Sequence, residues 1–160
     1  MDLDLGTAIS GGIFIVLCIL PFALMYIKRK KNEKQFLQSL LTIAKQQNCQ
    51  ISQYDVFGVF GIGIDQTKNV VFFYRKTKDI TYECFANLSA IKSCEIINTS
   101  SIESTQKIIE KLELRFYPVA IDQQIIKMEF FNRTSNIQLC GELQLIEKWS
   151  AIINNQLKTK

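Results

Sequence analysis

The chain has 160 residues, a formal net charge of +4, 48% hydrophobic residues and no histidine. That length suits one domain with an appendage, and the missing imidazole excludes histidine triads, histidine metal ligands and the commonest general base. The positive charge is concentrated near one end: residues 35–160 hold 14 basic and 12 acidic side chains, too even a balance to draw nucleic acid electrostatically.

From Ala8 to Ile27 the run "AISGGIFIVLCILPFALMYI" carries no charge. At about 1.5 Å per helical residue it reaches about 30 Å, the thickness of a bilayer's hydrocarbon core. A lone segment in lipid satisfies its backbone only as a helix. The pattern predicts a short extracytoplasmic amino terminus over 1–7 and a transmembrane helix over 8–27, bent at Pro21. A cleaved signal peptide does not fit. Asp2 and Asp4 stand where a basic start belongs, and "KRKK" follows the run in place of a small-residue cleavage site. Large Leu17 before Cys18 argues against a lipid attachment there.

Lys28, Arg29, Lys30 and Lys31 form the expected membrane-surface and topology site. By the positive-inside rule they place the amino terminus outside and everything after them in the cytoplasm, as a single-pass protein of the cell membrane. The same cations attract anionic lipid by about 1 kcal/mol each near the surface. Gly6-x-x-x-Ser10 and Ala8-x-x-x-Gly12 have the small-residue spacing that lets two spans approach, a pointer to a homo-oligomer.

Residues 28–49 read as a basic juxtamembrane segment running into an amphipathic helix that ends near Asn48. Phe36, Leu40, Ile43 and Ala44 fall at helical spacing, with Leu37 and Leu41 alongside. Beyond Ile51 the texture changes. The runs at 70–76, 80–86, 93–97, 111–117 and 125–131 are rich in β-branched and aromatic residues, and turn formers separate them. Leu112, Leu114 and Phe116 alternate with Lys111, Glu113 and Arg115, as do Ile126, Met128 and Phe130 with Lys127 and Glu129, the pattern of half-buried antiparallel strands. The polar stretch 98–107 reads as a loop. "GELQLIEKWSAIINNQLK" closes the chain as an amphipathic helix, with Trp149 on its apolar stripe and Glu142 suited to its first turn.

"DVFGVFGIGID" (55–65) holds the one glycine cluster that invites a phosphate-loop reading. The order Gly58-x-x-Gly61-x-Gly63 is the reverse of the dinucleotide fingerprint, and no Lys-Ser/Thr follows it. Parity places Val56, Gly58, Phe60, Ile62 and Ile64 on one face and Phe57, Val59, Gly61, Gly63 and Asp65 on the other. This predicts the first long strand of the sheet, with glycines that admit a bend or a close neighbour. Asp65, Lys68 and Asn69 read as turn chemistry. Cys49, Cys84, Cys94 and Cys140 form no close pair, which argues against zinc and for small buried hydrophobes. The sequons at Asn87, Asn98 and Asn132 are unusable in a cytoplasmic domain.

The fold class expected is α+β: a transmembrane helix and linker helix, then a bent antiparallel β-sheet or barrel over 50–160 capped by a carboxy-terminal α-helix. That order resembles the pleckstrin-homology superfold with its GRAM-like relatives. The strings "KNVVFFYRK", "LSAIKSCEI", "KLELRF" and "GELQLIEKWSAIIN" further resemble a family of uncharacterised bacterial single-span membrane proteins. The resemblance implies a cytoplasmic pleckstrin-homology-like domain held at the membrane, with no catalytic residues to carry over. Superfold members that bind lipid often use a basic loop between the first two strands; "DQTKNV" departs from this, with Lys68 its lone cation beside Asp65. The function expected is therefore a non-enzymatic interaction module without cofactor or metal, binding a protein partner or itself at the inner membrane face. The alternative is a lipid head-group sensor or carrier.

Overall fold

The computed structural model describes residues 5–78, 80–103, 106–135 and 138–159, with side chains from Leu17 onward except those of Glu103 and Gln106. It divides into two units, Met1–Gln35 and Phe36–Lys160. Helix α1, Leu5–Gln46, belongs to the first unit up to Gln35 and includes Pro21. The expectation that the apolar run continues, or bends briefly, into the amphipathic helix is met by one continuous helix. Residues 28–38 contain neither glycine nor proline and are mostly strong helix formers, so nothing interrupts the backbone. Among the described residues no helix is long and apolar enough to cross a membrane. The side chains of 8–16, nearly half of the expected span and most of its small-residue spacing, lie outside them.

In the second unit α1 stops at an Asn48 cap. Asn48 takes a φ of 54°, the Asn48 amide donates to the Lys45 carbonyl at 3.0 Å, and the Cys49 amide to the Ala44 carbonyl at 2.8 Å. This is the Schellman arrangement, and the contact that accompanies it is made by Ala44 and Cys49, both buried.

Strands β1 (Gln53–Phe57), β2 (Phe60–Asp65), β3 (Val70–Lys76) and β4 (Thr81–Asn87) form a four-stranded antiparallel sheet in that order. A short 3-10 turn, Leu88–Ala90, leads to β5 (Ile91–Glu103), β6 (Gln106–Pro118) and β7 (Ile126–Asn132), an antiparallel sheet of three. Helix α2, Glu142–Lys158, closes the order. The class is α+β, as expected. The sheets are not closed into a barrel; each keeps its own two edges.

Two further expectations are corrected. The stretch 55–65 is a hairpin, not one strand: Gly58, at φ 55°, opens a two-residue turn between Phe57 and Phe60. "DQTKNV" therefore joins the second and third strands. The polar stretch 98–107 is also strand, because β5 and β6 stay paired, across a register shift at Thr99 and Ser100, out to Glu103 and Gln106 around residues 104–105, which lie outside the described residues. Backbone pairing carries a hairpin arm through serines and threonines that bury little.

The main core lies between the inner faces of the two sheets and α2. Phe60, Ile62, Phe73, Leu114, Phe116 and Trp149 are all within 1% of complete burial. A register shift opposite Leu112 and Glu113 turns both Phe130 and Phe131 of β7 inward. A smaller cluster covers the outer face of the first sheet, where Leu40, Ile43 and Ala44 of α1 meet Cys49, Val70 and Phe72. Both faces of β3 are thus buried, which accounts for its unbroken apolar run "VVFF". Gly61 and Gly63 lie beneath this cover: a Cβ on Gly61 would stand 2.9 Å from Leu40 Cδ1, and one on Gly63 3.0 Å from Ile51 Cγ2.

Candidate functional site

The parity that sends Val71 and Phe73 inward also sends Arg75 inward, at the end of β3, where the core gives out. Its neighbour across the ladder is Tyr82. Both reach over to the free edge of β7. Arg75 Nη1 donates to the Glu129 carbonyl at 3.2 Å and to the Glu129 carboxylate, Nη2 donates to Ser135 Oγ at 2.8 Å, and Tyr82 Oη donates to the Lys127 carbonyl at 3.0 Å. Two carbonyls of an edge strand are thereby satisfied by side chains of the other sheet.

Beside this seam lies a cleft of about 370 Å³, with Ile80 and Tyr82 on one wall and Glu113, Lys127, Glu129 and Asn132 on the other. Its carboxylates are already partnered. Lys111 Nζ sits 2.5 Å from Glu113 Oε1 and 3.0 Å from Glu129 Oε2, and Arg115 Nη2 donates to Glu113 Oε2 at 2.8 Å. Burial alone would raise the Glu113 carboxyl. The hydrogen bonds from Lys111 and Arg115 outweigh it and hold the group below the ordinary carboxylate value. Burial, with Cys84 and the two glutamates adding to it, pushes the Tyr82 phenol well above its ordinary value. The Cys84 thiol is likewise pushed up by burial, to about 11, so it is neither an acid nor a nucleophile near neutrality. Lys127 has no ion pair among the described residues, is exposed, and lines the cleft.

The predicted surface site, Lys28, Arg29, Lys30 and Lys31, occupies consecutive exposed positions on α1 in the first unit, with Lys30 Nζ 5.2 Å from the Tyr26 ring centroid. The glycines of 55–65 cradle nothing: Gly58 makes a turn, and Gly61 and Gly63 admit Leu40 and Ile51. Asp65 is 2% exposed and takes up turn chemistry, as expected. Its Oδ1 accepts from the Thr67 hydroxyl and from the Thr67 and Lys68 amides, and its Oδ2 accepts from the Gln50 amide at 2.7 Å. Burial works against the charge, but these hydrogen bonds prevail and bring the carboxyl down to about 2. Trp149 is core, its Nε1 donating to Asp55 Oδ2 at 2.9 Å.

Two sequon asparagines have local duties. Asn87 Oδ1 accepts from the Ser89 amide, and Asn132 Oδ1 accepts from the Thr134 amide while its Nδ2 donates to Glu129. Cys49 and Cys94 are buried as expected and Cys84 is half-buried, but Cys140 is exposed, on the segment leading into α2. Sequence reading passed over Arg75, Tyr82 and Lys127. The available signal was parity, which puts an arginine on the core-facing side of β3, where a charge requires partners. Comparison with protein-family models, curated proteins and solved structures finds no match for this chain.

Proposed function

We propose that the chain is a membrane-anchored, non-enzymatic interaction module with a pleckstrin-homology-like cytoplasmic domain, binding a protein partner or itself at the inner membrane face. The observation that carries the module reading is the chemistry of the cleft. Its buried carboxylate is held ionised between cations, a poor general acid or base near neutrality, while Lys127, Ile80 and the ring of Tyr82, which also line it, are of kinds that recognise a surface. Four strands, three strands and a closing helix support the superfold assignment.

Anchoring rests on the charge-free run 8–27 and the four cations after it. In support, Leu17, Phe22, Leu24, Met25 and Ile27 are all more than half exposed, all round a helix that water would solvate poorly. Tethering raises the effective concentration of a weak binder near a membrane partner.

Affinity purification of the full chain from detergent-solubilised membranes is expected to recover a stoichiometric partner or a defined oligomer; repeated recovery of neither sinks the module reading. The basic cluster favours the lipid-sensor alternative, and hydrogen exchange in nanodiscs separates the two. Residues 75–82 and 127–135 keep the same protection in neutral and anionic bilayers if the cleft serves a protein, and gain protection in anionic ones if it serves a head group.

A further inference from the structure

The cleft of about 370 Å³ beside the seam has the size and the mixed lining of a small-ligand site. β4 and β7 pack side by side next to it, with the Tyr82 hydroxyl on the Lys127 carbonyl at 3.0 Å. No lane for an extended chain runs between those strands. An occupant must therefore fit within the cleft itself.

Two carboxylates line the cleft, Glu113 and Glu129, and three cations are already paired with them: Arg75, Lys111 and Arg115. Lys127 is a fourth cation, exposed, lining the cleft and without an ion pair among the described residues. A deeper donor is open as well. Arg75 is 6% exposed, with Nη1 engaged by Glu129 and Nη2 by Ser135. Its Nε–H has no partner among the described residues, where every fully buried side-chain nitrogen does have one. That N–H is thus within reach of a ligand, and Arg75 lines the cleft. The wall at the start of β4 is apolar. Ile80 is 67% exposed and Tyr82 40%, and Tyr82, its hydroxyl engaged, presents its ring.

We propose that the cleft binds a small free carboxylic acid with a compact apolar body. The carboxylate sits on the Lys127 ammonium and the Arg75 Nε–H, and the body lies against Ile80 and Tyr82. A carboxylate accepts from both donors at once in charge-assisted hydrogen bonds. One unpaired lysine matches one negative charge, whereas the second charge of a phosphate monoester would stand against Glu113 and Glu129. The inference rests on reading the cleft as a recognition site, and it goes beyond the macromolecular partner by naming a small ligand.

The test uses the full chain in nanodiscs of phosphatidylcholine at neutral pH, with 4-(4-fluorophenyl)butanoate followed by fluorine NMR against empty nanodiscs. Saturable binding is expected. The uncharged amide of the same acid binds about tenfold more weakly, having lost both charge-assisted contacts. Lys127→Gln weakens the acid about threefold, the scale of one exposed ion pair. Lys92→Gln, at an exposed lysine of β5 outside the cleft, leaves binding unchanged. Hydrogen exchange with the acid bound gains protection in 75–82 and 127–135 and none in α2. The peptide Ala-Ala-Ala-Ala-Phe, with a free carboxyl end, does not displace the acid. No binding, equal binding of the amide, an equal loss from Lys92→Gln or protection confined to other segments would each overturn the proposal. Displacement by the peptide at equal concentration would also overturn it and assign the cleft to the end of a partner's chain. If the acid fails while affinity purification recovers a partner, the ligand inference is wrong and the module reading stands. If the acid binds and no partner or oligomer is recovered, the module reading falls and the ligand site stands.

Discussion

The two faces of the four-stranded sheet are buried by opposite means. Toward the second sheet and α2, space is filled: Phe60, Phe73 and Phe130 form a ring cluster with centroids 4.9–5.7 Å apart, and Trp149 closes it. Toward α1, space is made: Gly61 and Gly63 give up their side chains so that Leu40 and Ile51 can sit on the backbone. The first face is redundant in contacts and tolerates small losses by sharing them. The second depends on a few residues from one helix end and one linker, and each of them matters singly.

The largest expected effect breaks the inner face. Phe73→Ala removes a ring shared by Phe60, Tyr82 and Phe130 and lowers stability by about 4 kcal/mol. Urea unfolding followed through Trp149, the chain's one tryptophan, measures it, and emission shifts red as the core loosens. A loss below about 1 kcal/mol would mean that the site collapses around the gap.

On the outer face, Leu40→Ala is expected to remove roughly 2 to 3 kcal/mol, the lower part of the range for this truncation, because the cluster around it is small. Hydrogen exchange locates the change. Val70 and Phe72 amides lose protection relative to those of β6. Equal loss across both sheets would show that the outer cover and the inner core open as one unit.

These two regions were unequally legible in the sequence. The inner face was readable from alternation, since Leu112, Leu114, Phe116 and Met128 obey a period of two and are fully buried. α2 was readable from Ile146, Trp149 and Ile153 at helical spacing. The hairpin at Gly58 was hidden because Val59 and Phe60 continue the apolar run, and only the positive φ at Gly58 breaks it. The polar arms of β5 and β6 looked like a loop because composition reports burial, whereas a hairpin ladder needs only backbone pairing. The seam of Arg75 and Tyr82 on β7 was invisible for another reason. It joins residues more than 40 apart in sequence, across two sheets, and no local pattern encodes such a pairing.

Asp65 gives the outer face its electrostatic hold, since the Gln50 amide ties the linker after α1 to the end of β2. Its folded value, about 2, lies below the ordinary 3.8, so its stabilisation is complete above that ordinary value. It is lost as pH falls toward about 2. Asp65→Asn would turn an amide NH2 toward a donating backbone N–H and cost about 2 kcal/mol at neutral pH. The gap between the native chain and the variant is expected to narrow over that acid window. A gap that stays constant from neutral pH to pH about 2 would assign the loss to packing instead of charge.

The smallest effect is the most diagnostic of how the outer face was made. Gly61→Ala places a methyl 2.9 Å from Leu40 Cδ1 and 3.5 Å from Val56 Cγ2. The tip of a leucine can yield, so the expected cost is only about 1 kcal/mol of overpacking, reduced by the gain from removing a glycine within a strand. With Leu40→Ala already in place the obstruction is gone, and the same substitution is expected to be neutral or stabilising by a few tenths of a kcal/mol. The double-mutant cycle therefore carries a coupling of about 1 kcal/mol, with the sign of a relieved clash. If the two substitutions simply add, Gly61 serves the bend of the hairpin and not the approach of the helix.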